Sequence, residues 1–214
     1  MNIFLNIKSL LFLLFFVSGF CGLLYQIIWL RIAFASFGVI SPILSIVISV
    51  FMLGLSLGSW IGGKWISYLK NKTNLSAIIF YGLTEIIIGL GAFAVPQLFT
   101  IDARLLLPLG EINSFQYLLL SALVLGLSIF PFCFAMGVTY PFMMEFIQEL
   151  KWEERTSFSY LYLANGVGAM FGTIMTALFL VEKLGFSKTL MFGAFGNFSI
   201  ALICLSKGFY KIPP

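Results

Sequence analysis

Long stretches without a charged residue constrain this chain more than any other feature. Five such runs have 22, 32, 33, 26 and 18 residues, and a sixth is interrupted only by Glu85. They cover residues 9–30, 32–63, 112–144, 156–181 and 189–206, with the sixth at 73–101. A helix crosses the hydrocarbon core with about 20 apolar residues and satisfies its own backbone groups there. The sequence therefore predicts an all-α, polytopic integral membrane protein with six transmembrane helices.

We expect one transmembrane domain over residues 1–214. Its helices are predicted at about 9–30, 42–65, 75–99, 115–136, 158–180 and 188–205. Pro131 and Pro141 predict a kink or break after the fourth helix. Residues 141–152 then follow an amphipathic pattern, which predicts a helix lying along the membrane surface. The first run begins like a signal peptide, but its length favours a retained helix.

Lysine and arginine set the expected orientation. With the N-terminus inside, the inner segments hold eight of these residues and the outer segments hold four. Both termini are therefore predicted to be cytoplasmic, in the cell (inner or plasma) membrane. The net charge of +4 follows from this bias, so we expect no nucleic acid partner. Asp102 falls in the predicted outer loop between the third and fourth helices.

The residue types present exclude several kinds of chemistry. The chain has no histidine, the commonest metal ligand and the usual acid–base residue near neutral pH. Its cysteines, Cys21, Cys133 and Cys204, fall in three different predicted helices and form no metal-binding or disulfide motif. We therefore expect no metal site, no cofactor and no enzymatic activity from this chain alone.

Three polar residues inside the predicted helices are candidate functional residues. Glu85 is the one acidic residue deep in a predicted helix, where carboxylates often mark proton or substrate pathways. Alternatively, Glu85 has a role in helix packing, either protonated or hydrogen-bonded to a neighbour such as Gln26 or Asn165. Gln26 and Asn165 themselves fit interhelical hydrogen bonds better than chemistry. Facing a water-filled cavity, Glu85 would favour transport; facing a protein partner, it would favour assembly.

Small residues recur at helical spacing in two of the predicted helices. The rows contain Gly54, Gly58 and Gly62 in the second helix, and Gly168 and Gly172 in the fifth. Such rows let helix backbones approach closely, either within one chain or at a subunit interface.

An aromatic and a cationic residue end the first charge-free run. Trp29 is followed two residues later by Arg31. This pair is typical of a helix anchor at the membrane interface.

Four segments resemble the membrane part of fused major-facilitator/spermidine-synthase proteins. They are FVSGFCGLLYQIIWLR (16–31), SVFMLGLSLGSWIGGKW (49–65), FPFCFAMGVTYPFM (130–143) and LYLANGVGAMFG (161–172). The resemblance implies a six-helix half of a major-facilitator transporter. Members of that family commonly continue into a spermidine-synthase-like, Rossmann-type domain that would transfer an aminopropyl or methyl group. We expect no such domain here, so catalysis would need a separately encoded chain.

Two functions follow as hypotheses. The first is an integral membrane subunit that anchors or assembles with a partner chain in the lipid bilayer. The alternative is a half-size, major-facilitator-like transporter that acts as a dimer on a small solute, because full transporters of this type place their site between two halves. Both hypotheses imply a homo-oligomer or an association with other membrane subunits.

Overall fold

The chain forms a bundle of long helices. A computed structural model describes residues 2–38, 41–106 and 114–208. The helices are α1 (Asn2–Phe37), α2 (Ser41–Thr73), α3 (Ala77–Leu106), α4 (Ser114–Glu149), α5 (Glu154–Met175) and α6 (Val181–Gly208). A π-helical turn, Thr176–Leu180, joins α5 directly to α6. The all-α class predicted from the sequence is confirmed, with helices long and apolar enough to cross a membrane.

The number of membrane-spanning segments differs from the prediction. The described residues contain five segments long and apolar enough to cross a membrane, whereas the sequence predicted six. The difference lies in residues 156–206, which form one continuous apolar segment of 51 residues. The predicted helices 158–180 and 188–205 both fall inside it, because only a π-helical turn and the non-helical residue Gly185 separate its two helical parts.

Gly185 breaks the direction of that continuous segment. Its backbone has φ 73° and ψ 175°, which is not helical and which only glycine adopts without strain. The helices on the two sides of Gly185, α5 and α6, run along α1 in opposite directions. Gly168 and Gly172 of α5 meet Phe16 and Phe20 in increasing order, whereas α6 places Gly193 at Tyr25 and Gly196 back at Cys21 and Val17.

Glycine rows hold two helix pairs at close range. Gly54, Gly58 and Gly62 of α2 face α4, where an added Cβ would meet Cys133, Phe134 and Pro141 respectively. Gly168 and Gly172 of α5 lie against backbone carbonyl oxygens of α1. A side chain at any of these positions except Gly62 would overlap the neighbouring helix, while at Gly62 the fit is only tight. The rows therefore pack helices of the same chain, which was one of the two uses expected for them.

Several helices are longer than predicted. α1 and α4 each have 36 residues, and at 1.5 Å per residue this is about 54 Å, well beyond the roughly 30 Å of hydrocarbon. The expectation was a kink or a break at Pro131 and Pro141; α4 passes through both without a break. Membrane helices tolerate proline because neighbouring helices and local adjustments satisfy the freed backbone groups.

The segment 141–152, expected along the membrane surface, mostly forms the last turns of α4. Phe142, Met143, Phe146 and Ile147 are buried there in the second of two core clusters. This amphipathic face is therefore covered by the chain's own helices. The pattern predicted a helix correctly, but its apolar face packs on protein.

Candidate functional site

Glu85 lies in the interior of the bundle with no exposed surface. The Ser18 hydroxyl of α1 donates a hydrogen bond of 2.8 Å to Glu85 Oε1. The Asn197 side-chain amide of α6 donates another to Oε2. Each carboxyl oxygen thus has a donor from a different helix. The neighbours weighed from the sequence, Gln26 and Asn165, are not the partners.

The hydrogen bonds continue beyond the carboxyl group. Tyr25 of α1 donates a hydrogen bond of 2.7 Å from its hydroxyl to Asn197 Oδ1. Tyr81 lies one turn before Glu85 on α3, and its buried hydroxyl makes no hydrogen bond of good geometry. We call Ser18, Tyr25, Tyr81, Glu85 and Asn197 the Glu85 cluster. It joins α1, α3 and α6 through side chains far apart in the sequence.

Glycines allow the three helices to approach closely around the cluster. On α6, Gly193 sits against Tyr25 and Gly196 against Cys21, so Asn197 can reach both the Tyr25 hydroxyl and the carboxyl group. On α3, Gly82 and Gly89 lie on either side of Glu85 and face α6. Asn197 was not among the residues predicted from the sequence, although its position directly after the small residues of GAFGN (193–197) is a signal for an interhelical amide.

The cluster contains hydrogen bonds but no ion pair. Among the described residues, the ion pairs found all involve Lys70, which lies elsewhere. A buried polar group without partners costs free energy, and the bonds from Ser18 and Asn197 offset that cost. Networks of this kind, when satisfied, fix one arrangement of a core. Chemically, the cluster is suited to holding α1, α3 and α6 in register.

The other two polar candidates lie outside this cluster. Gln26 is half-buried on α1, and no hydrogen bond of its side chain is found within the described part of the chain. Asn165 is half-buried on α5, with its backbone carbonyl pressed against Gly19. The structure therefore does not bring the three predicted polar residues together.

Trp29 and Arg31 occupy different surroundings. Trp29 is 1% exposed and stacks on Tyr25, with ring centroids 5.4 Å apart. Arg31 is exposed, and α1 continues beyond it to Phe37. A tryptophan buried in the core differs from the membrane-interface anchor predicted from the sequence, because its ring contacts protein.

A second buried carboxyl group lies in α3. Asp102 is 9% exposed and accepts a hydrogen bond of 2.7 Å from the Ser128 hydroxyl of α4. The prediction that Asp102 lies in a loop is wrong, because α3 continues to Leu106.

The opposite end of α3 is held by an ionic cluster. Lys70 of α2 contacts Glu145 at 2.6 Å and Glu149 at 3.0 Å, both at the end of α4. Glu149 also accepts hydrogen bonds from the Ser76 hydroxyl and from the backbone N–H of Ala77, the first residue of α3. A carboxylate from α4 thereby caps the N-terminus of α3, where the helix dipole favours negative charge. Three helix ends are tied together by these contacts.

Acidic and cysteine side chains do not form a metal-binding group in the described part of the chain. Comparisons with known proteins find no match: no family model, no curated protein and no solved structure matches this chain. The resemblance to fused major-facilitator/spermidine-synthase proteins therefore stays a prediction from the sequence motifs.

Proposed function

We propose that this chain is an integral membrane subunit that assembles with a partner membrane chain through one outward face of α2. The five apolar segments support the membrane part of this proposal. The exposed face of α2 is the observation that carries the assembly part.

Small residues dominate that face of α2. Its exposed positions include Ser45, Ser49, Ser56, Ser59 and Gly63. At 100° per residue they fall within an arc of about 80°, which also includes one large exposed residue, Met52. We call these five residues the α2 serine face. Of the five apolar segments, α2 also has the smallest buried share, 28%, against 61% for α3.

The composition of this face suits another helix better than lipid. Lipid chains are as apolar as leucine, so helices in a membrane associate through close packing of small residues. The Ser56 hydroxyl bonds to the Met52 carbonyl of its own helix, which leaves a small, satisfied surface. The exposed face of α3, in contrast, carries large apolar residues: Leu83, Ile87, Leu90 and Phe93. That face is typical of contact with lipid.

The proposal includes six membrane crossings, with both termini on the cytoplasmic side. The support is the break at Gly185 and the opposite directions of α5 and α6 along α1. Residues 156–206 would measure about 77 Å as one helix, more than twice the hydrocarbon thickness, which is long enough for two crossings. Six crossings agree with the resemblance to half of a major-facilitator transporter.

The half-size transporter that acts as a dimer is the alternative. It uses the same α2 serine face for a second copy of the chain, and it needs a route for solute to a polar site. Glu85 has no exposed surface and is bonded within its own chain, which supports a structural role for it. We therefore place assembly first. Any transferase chemistry suggested by the resemblance would belong to the partner chain.

Photo-crosslinking tests the proposal directly. A photoreactive amino acid at position 56 on α2 is compared with the same residue at position 87 on α3, in native membranes. We expect a protein–protein product from position 56 and lipid adducts from position 87. The product's mass distinguishes a second copy, at twice 23.9 kDa, from a different partner. Lipid adducts alone at both positions would contradict the proposal.

A further inference from the structure

A cavity opens where the beginning of α1, the end of α4 and the beginning of α5 meet. Its volume is about 440 Å³, within the 300–1,000 Å³ common for ligand pockets. It lies away from both the Glu85 cluster and the α2 serine face. The lining includes residues from two helices that run in the same direction, α1 and α5.

The lining changes from polar to apolar along both helices. On α1, Lys8 and Ser9 come first, and Leu11 and Phe12 follow. On the α5 side, Glu153, Thr156 and Ser157 come first, and Tyr160 and Leu161 follow. A headgroup with an acyl chain has the same order of polarity as it enters a membrane. Phe12 is 39% exposed and Tyr160 is 61% exposed, so the apolar side of the cavity has open surface beside it.

The charged residues at the polar end carry both signs. Lys8 lies over the Trp152 ring, 5.2 Å from its centroid, and no ion pair joins it to Glu153 among the described residues. The indole Nε1 of Trp152 is buried without a hydrogen-bonding partner. Glu153 precedes α5 without making a side-chain capping bond. The cavity therefore offers a cation and a carboxylate to one ligand.

We propose that this cavity binds the headgroup of a zwitterionic aminophospholipid, of the phosphatidylethanolamine type. Lys8 is suited to the phosphate, and Glu153 to the primary ammonium. A choline headgroup has no N–H donor for Glu153, and an anionic glycerol headgroup leaves that carboxylate without a cation. The pairing of opposite charges is the basis of the selectivity.

Lipid titration with native mass spectrometry tests this site. The probes are dioctanoyl phosphatidylethanolamine, phosphatidylcholine and phosphatidylglycerol, added to the detergent-purified full chain. We expect the ethanolamine lipid to bind at least about tenfold more tightly than the other two, because only its headgroup pairs with both Lys8 and Glu153. Equal affinity for all three lipids would overturn the proposal.

Matched variants locate the site. Lys8→Gln and Glu153→Gln are each expected to weaken binding of the ethanolamine lipid about tenfold, since each removes one charged hydrogen bond. Lys64→Gln is the control for the cation, because Lys64 lies over the Trp60 ring at 3.9 Å outside this cavity. Glu182→Gln, at an exposed position of α6, is the control for the carboxylate.

A charge-neutral variant completes the test. Ser157→Leu narrows the cavity without changing its charge, and it is expected to weaken binding while the wild-type elution volume is kept. Unchanged binding in Glu153→Gln or in Ser157→Leu would overturn the proposal. None of these outcomes depends on whether α2 binds a partner chain.

Discussion

Asn197→Leu is predicted to be among the most destabilising single substitutions in the bundle. Asn197 is 1% exposed, accepts a hydrogen bond from Tyr25 and donates one to Glu85. Leucine has a similar size but makes neither bond. Two buried polar groups would lose a partner, at about 1–3 kcal/mol each. The expected loss is about 2–6 kcal/mol of unfolding free energy.

Equilibrium unfolding of the detergent-purified chain measures this loss. Ser199→Ala is the matched control on α6, because the Ser199 hydroxyl bonds only to the Phe195 carbonyl of its own helix. Tyr25→Phe combined with Asn197→Leu isolates the pairwise contribution, and we expect a coupling energy of about 0.5–3 kcal/mol. A loss for Asn197→Leu no larger than that for Ser199→Ala would refute the structural role of the Glu85 cluster.

Three further substitutions test other contacts. Gly168→Val should cost about 1–3 kcal/mol of unfolding free energy, because its side chain would overlap α1. Its control, Gly166→Val, lies in open space and should cost far less. Equal melting temperatures of the two variants would disprove the α1–α5 packing. Glu149→Ala should lower the unfolding free energy by about 1–3 kcal/mol, through loss of the α3 cap and the Lys70 ion pair. Its control is Gln148→Ala, at an exposed position, and an equal effect would count against the cap. Gly185→Ala should cost about 1–2 kcal/mol because φ is 73°, and an unchanged melting temperature would argue against the break there.

The membrane class and most helix positions could be predicted because they depend on charge-free runs. The packing glycines could be predicted too, since close helix approach requires small residues. The side of each helix that faces the protein interior could not be predicted from the sequence, because lipid and the protein interior are both apolar. Trp29 shows this: its sequence position suits a membrane-interface anchor, but its ring is buried against Tyr25.

The Glu85 cluster shows the same limit in the candidate site. Glu85 could be singled out because a carboxylate in an apolar run is costly. Its partners could not, since Ser18 and Asn197 are separated from it by 67 and 112 residues. Asp102 was misplaced because a charge usually marks the end of a membrane helix, whereas α3 buries it against Ser128.

The mass of the intact assembly in gentle detergent tests the central claim most directly. A membrane subunit that uses the α2 serine face is expected to purify as an assembly heavier than 23.9 kDa, the mass of one chain. Ser49→Phe with Ser56→Phe should dissociate that assembly, whereas Leu83→Phe with Ile87→Phe on α3 should leave it intact. A single chain of 23.9 kDa without companions, from wild type and variants alike, would contradict the account.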